Sequence, residues 1–343
     1  MPDHLPDCVP ERVPDRPVLS PALPRLWRTD GSLQLGRTPG EARVLPGAAR
    51  VRAVLALLDG ALSWQQVERA HPDAGPVLEA LHAAGLLLDA QDLLPTGLPR
   101  ADADRLAPDL ACLTLVHGAG SRSALRARTE ARVVVHGAGR VGGPLASLLQ
   151  GAGVGTVDLR DHGPTRPADL AVGGAGAAQL GRPRAEAVQA QWQTGGVVEA
   201  SERATLVVLT DEGACATAAV LTRVGVPHLL AGVEERTGTV GPLVLPGESA
   251  CLTCLDLTRA GLDPGWAGLS VVADGPSPAC DGVLAAAVAA QAALQVLQLL
   301  EGGIPGSVGG TLELTLPGWA WRRRSWPQHP GCACAWGAKA QAA

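Results

Sequence analysis

Three valines, Val133 to Val135, lead directly into Gly137-Ala138-Gly139-Arg140-Val141-Gly142. Consecutive β-branched residues suit a strand buried on both faces. The glycines let the backbone turn sharply and start a helix above the strand end, with its first amides facing an anion. Few folds besides a parallel α/β sheet accommodate such a join. Val157 to Leu159, Leu206 to Leu209 and His228 to Leu230 read as further strands with helical stretches between them, a doubly wound arrangement. Beyond Gly303 the pattern changes. Leu312, Leu314 and Leu316 alternate with Thr311, Glu313 and Thr315, as in a half-buried antiparallel strand.

The strand after the glycine loop ends at Asp161, where an acid binds a ribose hydroxyl in a nucleotide site. Gly137, Gly139, Arg140, Gly142 and Asp161 are therefore the candidate cofactor-binding residues. The same glycines also suit a nucleotide-free Rossmann fold, in which they serve only close packing of helix on strand.

Cysteines supply the second constraint. Cys251-Leu252-Thr253-Cys254 and Cys332-Ala333-Cys334 are two close pairs far apart in sequence, the logic of a tetrahedral thiolate site that closes a long loop. The expected ion is structural zinc on Cys251, Cys254, Cys332 and Cys334. Disulfides are the alternative and fit an oxidising compartment better.

Glycine loop, acid after the second strand and paired cysteines beyond the sheet together resemble the ThiF/MoeB (ubiquitin-activating-like) superfamily, from Ala131 to Trp336. The resemblance implies an adenylation fold with a zinc clip. It assigns Gly137, Gly139 and Gly142 to the phosphate loop, Asp161 to the ribose, and Asp211, after strand Leu206 to Leu209, to magnesium-ATP. Two departures fall on the ATP site. The family's Asn-x-x-Arg-Gln segment is Asp169-Leu170-Ala171-Val172-Gly173, which lacks the arginine, and the family lysine is Arg184, a cation of different geometry. Members that pass on an activated carboxylate need a thiolate. Cys280 is the candidate and Cys215 the second; both also read as inert structural cysteines. The candidate catalytic set is Asp211, Arg184 and Cys280. His136 and His228, at strand ends, read as core histidines, and His329 as a second contact to the metal.

Ahead of this fold, residues 21–92 read as a small independent unit. Ser32 to Leu35 and Ala42 to Leu45 form a two-stranded ribbon around a Thr-Pro-Gly turn, followed by Val51 to Leu58, a helix capped by Ser63 with Gln66, and Gly75 to Ala84. Leu86 to Leu88 returns as a wing strand. Ribbon, three helices and wing resemble the winged-helix, PqqD-like peptide-recognition element, which implies leader capture by strand addition at the ribbon edge. A winged helix used for packing or dimerisation is the alternative. Residues 1–20 read as a disordered leader, 93–128 as a connector with a strand at Ala111 to Val116, 129–337 as the adenylation-type domain and 338–343 as a tail.

The chain has 28 Lys and Arg against 33 Asp and Glu, a net charge of -5, with the arginines scattered among acids. That balance argues against nucleic acid. Val283 to Leu300 is apolar but interrupted by Gln291, Gln295 and Gln298, so a soluble helix is expected, with no membrane role and a cytoplasmic location. The combined resemblance implies a homodimeric ThiF-like partner of azoline-forming YcaO cyclodehydratases that binds a precursor-peptide leader and has a degenerate ATP site. The alternative is an ATP-dependent adenylyltransferase acting on a ubiquitin-like or sulfur-carrier protein.

Overall fold

The computed structural model describes residues 12–38, 42–93, 98–192, 203–211, 213–266 and 279–335. Contacts divide the chain into two units, Met1–Arg126 and Ala127–Ala343.

In the first unit, β2 (Arg25–Trp27), β3 (Leu33–Leu35) and β4 (Arg43–Leu45) form an antiparallel sheet with β3 in the centre. The ribbon expected from sequence thus gains Arg25–Trp27 as a third strand. The Thr38-Pro39-Gly40 turn lies partly outside the described residues. Leu33 and Leu35 of β3 are buried against Val54, Leu78 and Leu81. These come from α1 (Ala48–Leu55) and α3 (Ala74–Ala83), with α2 (Trp64–Ala70) between. Ser63 caps α2: its Oγ accepts from the Gln66 amide at 3.4 Å while Gln66 Oε1 accepts from the Ser63 amide at 2.8 Å. The expected wing is β5 (Leu87–Asp89), which pairs with β1 (Pro17–Leu19) and not with the ribbon. This corrects the disordered leader over its last residues, because Leu19 is buried in the core; residues 1–11 lie outside the described set.

The stretch expected as a connector holds α4 (Arg100–Arg105), α5 (Ala107–His117) and α6 (Ser121–Glu130). The strand expected at Ala111 to Val116 is part of α5. Leu106, Leu110 and Leu113 recur at helical spacing and bury against Leu125, and this longer period outweighs the short apolar run that suggested a strand.

The second unit is a seven-stranded sheet in the order β12-β11-β10-β9-β8-β6-β7. Its parallel half comprises β7 (Thr156–Arg160), β6 (Arg132–His136), β8 (Leu206–Leu209) and β9 (His228–Glu234). The antiparallel half adds β10 (Thr237–Val244), β11 (Gly310–Thr315) and β12 (Arg322–Ser325). Helices α7 (Gly142–Gly151) and α11 (Gly282–Leu300) cover one face together with α8 (Arg184–Gln189), while α9 (Ala214–Arg223) covers the other. Both faces being covered explains the unbroken valines of β6. Val133 and Val135 enter the larger core, Val134 the smaller one with Val207 and Ala218.

Helix α11 is the one helix among the described residues with the length and apolarity of a membrane span. It is a core helix of this sheet, burying Leu284, Ala285, Val288, Ala289, Ala292 and Val296. Gln295 is buried too, and its Oε1 accepts the Ser307 amide at 2.9 Å. The glutamine that interrupts the apolar run therefore satisfies a loop amide inside the fold.

Candidate functional site

The glycine loop leaves β6 as the sequence suggests, and its three glycines have different reasons to be there. Gly137 has φ 92°, a left-handed conformation that side chains disfavour, and a Cβ there would lie 2.6 Å from Thr210 Oγ1. A Cβ on Gly142 would collide with the Gly137 carbonyl oxygen. Thr210 completes this packing by donating its hydroxyl to His136 O at 2.8 Å. Gly139 differs: a Cβ there would meet nothing within 4 Å. Two glycines are thus required by the protein itself, and the third leaves open surface above the loop.

Asp161, one residue beyond β7, lies beside this loop with its side chain 7% exposed. Its carboxylate accepts three hydrogen bonds: Ala138 N donates to Oδ2 at 2.8 Å, and Gly163 N and Arg184 Nε donate to Oδ1 at 2.8 and 3.1 Å. Arg184 Nη2 makes an ion pair with Oδ1 at 3.0 Å. Burial alone would raise the Asp161 pKa, but the two amides and the Arg184 guanidinium outweigh it and hold the group below its ordinary value. Arg184 also reaches Asp169 Oδ1 through Nη1 at 3.2 Å. Asp169, which stands where the resemblance expects asparagine, is a charged partner of Arg184 that sequence reading missed. Its position was visible, but pairing across fifteen residues was not. Val172, in the place of the family arginine, is 91% exposed.

Arg140 turns to the start of α11, where it donates to the Cys280 carbonyl oxygen. The Cys280 thiol is pushed up by burial, with Arg140 opposing and Asp281 reinforcing, so it is held as the thiol near neutral pH. Asp281 caps α11 by accepting from the amides of Val283 and Leu284, both at 2.9 Å. Asp211 follows Thr210 at the end of β8, next to Gly137, and is exposed. Cys215 lies exposed on α9. His136 is held below its ordinary pKa by burial, with Asp211 opposing. His228 is fully buried and its Nδ1 lies 2.9 Å from Val226 O.

The four cysteines of the two doublets meet. Cys251 stands just ahead of α10 (Leu252–Leu262) and Cys254 follows on its first turn, while the other pair comes from the loop after β12. All four sulfurs lie within 4.8 Å of one another. The Cys251–Cys254, Cys251–Cys332 and Cys254–Cys334 separations are 3.9, 3.6 and 3.3 Å. A tetrahedral ion with bonds of about 2.3 Å to sulfur sets its ligands about 3.8 Å apart, so the cluster has the spacing to hold a metal with small side-chain shifts. Val244, Leu255 and Trp326 bury it. His329 serves through its backbone, its carbonyl accepting the Cys332 amide at 2.9 Å, while its ring Nδ1 accepts from Gly331 N.

In the first unit, a groove of about 340 Å³ runs between β4 and α3, lined by Arg43, Val44 and Leu45 on one side and Ala80, Leu81, Ala83 and Ala84 on the other. β4 is an edge strand, and Val44 is 48% exposed. Small residues on α3 leave width beside the strand.

Residues 113–194 match the ThiF family. No curated protein matches the chain. Among solved structures, MccB of E. coli with AMPCPP and MccA is similar at 14% identity and a TM-score of 0.69, over 93% of this chain and 99% of that one. MccB, a microcin C7 biosynthetic enzyme, in complex with N-formylated MccA is similar at 13% identity and 0.67, over the same shares. PaaA is similar at 16% identity and 0.61, over 76% of this chain and 94% of that one. The glycine loop at the end of β6, the mixed seven-stranded sheet and the match over 113–194 together give this chain a ThiF/MoeB-like fold.

Proposed function

We propose that the chain binds the leader segment of a ribosomal precursor peptide along β4 and presents the peptide to a YcaO-type cyclodehydratase, without using ATP itself. The groove between the open edge of β4 and α3 carries this reading. An extended peptide adding to that edge would gain backbone hydrogen bonds from the strand and set alternate side chains against Ala80 and Ala83. Support comes from the solved relatives. The likeness to MccB, crystallised with MccA, extends over 93% of this chain and so includes the small first unit. In this reading the protein is a cytoplasmic homodimer, and Cys251, Cys254, Cys332 and Cys334 hold a structural zinc ion that stiffens the second unit.

Ala80 is exposed on α3, so Ala80→Trp should fill the groove without disturbing the core. With a labelled leader from the precursor peptide encoded beside a YcaO partner, fluorescence anisotropy should show binding by the full chain and loss of about tenfold or more in the variant, the equivalent of one good interfacial side chain. Equal affinity of the two proteins would exclude the groove.

A second reading, adenylation of the C-terminal carboxylate of a small carrier protein, is favoured by the open face at Gly139 and by the exposed Asp211. The remaining groups do not fit ATP well: the ribose carboxylate has its donors supplied internally, and Val172 offers no cation. Carrier-dependent pyrophosphate exchange that disappears in Asp211→Ala would establish this reading.

A further inference from the structure

We infer that Arg184 is an internal plug of the ribose position: its guanidinium occupies the carboxylate that a ribonucleotide needs, and this contact, more than any defect of the glycine loop, excludes ATP. The inference rests on the reading that this chain does not use ATP, and gives that reading a cause.

Capacity is the first argument. An ionised carboxylate has about two acceptor positions on each oxygen; on Asp161 Oδ1 both are taken, by Gly163 N and Arg184 Nε, with Arg184 Nη2 in ion-pair contact at 3.0 Å, while Ala138 N holds one position on Oδ2. A ribose whose two hydroxyls engage both carboxylate oxygens would have to displace a donor from Oδ1. Ala138 N and Gly163 N are fixed by the backbone, which leaves Arg184 as the only one of these donors that can withdraw.

The second argument is shape. The guanidinium packs against Gly163, where a Cβ would come within 2.7 Å of Arg184 Nη2 and 3.1 Å of Cζ. It also spans two carboxylates, binding Asp161 through Nε and Nη2 and Asp169 through Nη1. A planar fork can bridge two acids in this way, while an ammonium on a flexible stem is a point charge that ties both less firmly. An arginine at this position therefore leaves the site with its own ribose acceptor already taken.

The third argument is the loop itself. The three glycines keep the arrangement of a phosphate loop, with the surface above Gly139 open. If the whole site had decayed, an open face at Gly139 would have no reason to accompany closely packed Gly137 and Gly142.

The test is calorimetric titration of the full chain with magnesium-ATP and with magnesium 2′,3′-dideoxy-ATP, on the native protein, Arg184→Ala and Arg184→Gln, each checked for folding by thermal melting. Arg184→Gln keeps most of the side-chain volume should the alanine variant fail to fold. The native protein should bind neither nucleotide measurably. At least one folded variant should gain ATP affinity by about tenfold or more, the scale of one charge-assisted interaction, and prefer ATP to the dideoxy analogue. Folded variants without that gain, or with an equal gain for both nucleotides, would overturn the plug, as would native protein that already distinguishes the two. Leader binding measured on the same samples tests the peptide-capture reading separately, so either idea can fail alone.

Discussion

The cysteine cluster and the site around the glycine loop both bring together residues far apart in sequence, yet they end in opposite conditions. Four sulfurs converge on a common centre, and burial raises Cys334 and Cys332 above the ordinary thiol value. Cys254 is shifted the other way: burial would raise it, but backbone donors from His329 and Cys251 and the neighbouring sulfurs outweigh that and lower it. Such a group calls for a cation. At the glycine loop the backbone is equally well made, but its acid is satisfied from within by Ala138, Gly163 and Arg184. A site is therefore recognised by what its polar groups still lack, and this is a property of the folded arrangement.

The largest test of this contrast is at the cysteines. Cys251→Ser should lose about one equivalent of bound metal per chain and destabilise the second unit by about 4 kcal/mol or more, read by elemental analysis and by melting with and without chelator. A variant that keeps its metal would show that the cluster is not the ligand set.

Next in size is the loop's packing. Gly142→Ala forces a Cβ into the Gly137 carbonyl and should cost about 3 kcal/mol or more in denaturant unfolding. Gly139→Ala should stay within about 0.5 kcal/mol of the native protein. Similar losses at both positions would erase the distinction between a packing glycine and an open one.

A smaller effect concerns Asp161. Asp161→Asn should cost about 2 kcal/mol at neutral pH, since it weakens hydrogen bonds to a charged acceptor. The folded pKa of Asp161 is depressed, so its contribution is present in full above the unfolded-chain value of 3.8 and is lost as pH falls through the lower folded value. The stability gap between native protein and variant should therefore close below pH 3.8, as measured by urea unfolding across the acid range. A gap that persists there would mean that charge is not what Asp161 contributes.

How much of this was legible in the sequence follows the same division. The parallel strands, the glycine turn and the joining of the two cysteine doublets were readable, because each rests on periodicity or on residues whose chemistry has few other uses. The helix α5 was misread because a six-residue apolar run carries no period by itself, and only Leu106 and Leu110 ahead of it restore one. β1 was read as leader because a proline-rich start hides a three-residue strand whose partner, β5, lies some seventy residues away. At the site, Arg184 was visible as a substitution for lysine, but its grip on Asp161 and Asp169 was not. Whether a cation faces solvent, a ligand or its own neighbour depends on a fork geometry that no spacing encodes.

The route of the chain between the two cysteine doublets has a kinetic consequence. From Cys251 to Cys334 it runs through α10, α11, β11 and β12, and it returns to its start only after β11 has paired with β10 and β12 with β11. Cys251, Cys254 and Cys332 are each less than 5% exposed. Of the four ligands only Cys334 is partly exposed, so a chelator reaches an ion held there on that side alone, and full release requires the two doublets to part. The rate at which an isotopically labelled metal exchanges would then serve as a clock for the opening of this half of the sheet, slow where the sheet holds and faster in any variant that loosens its edge.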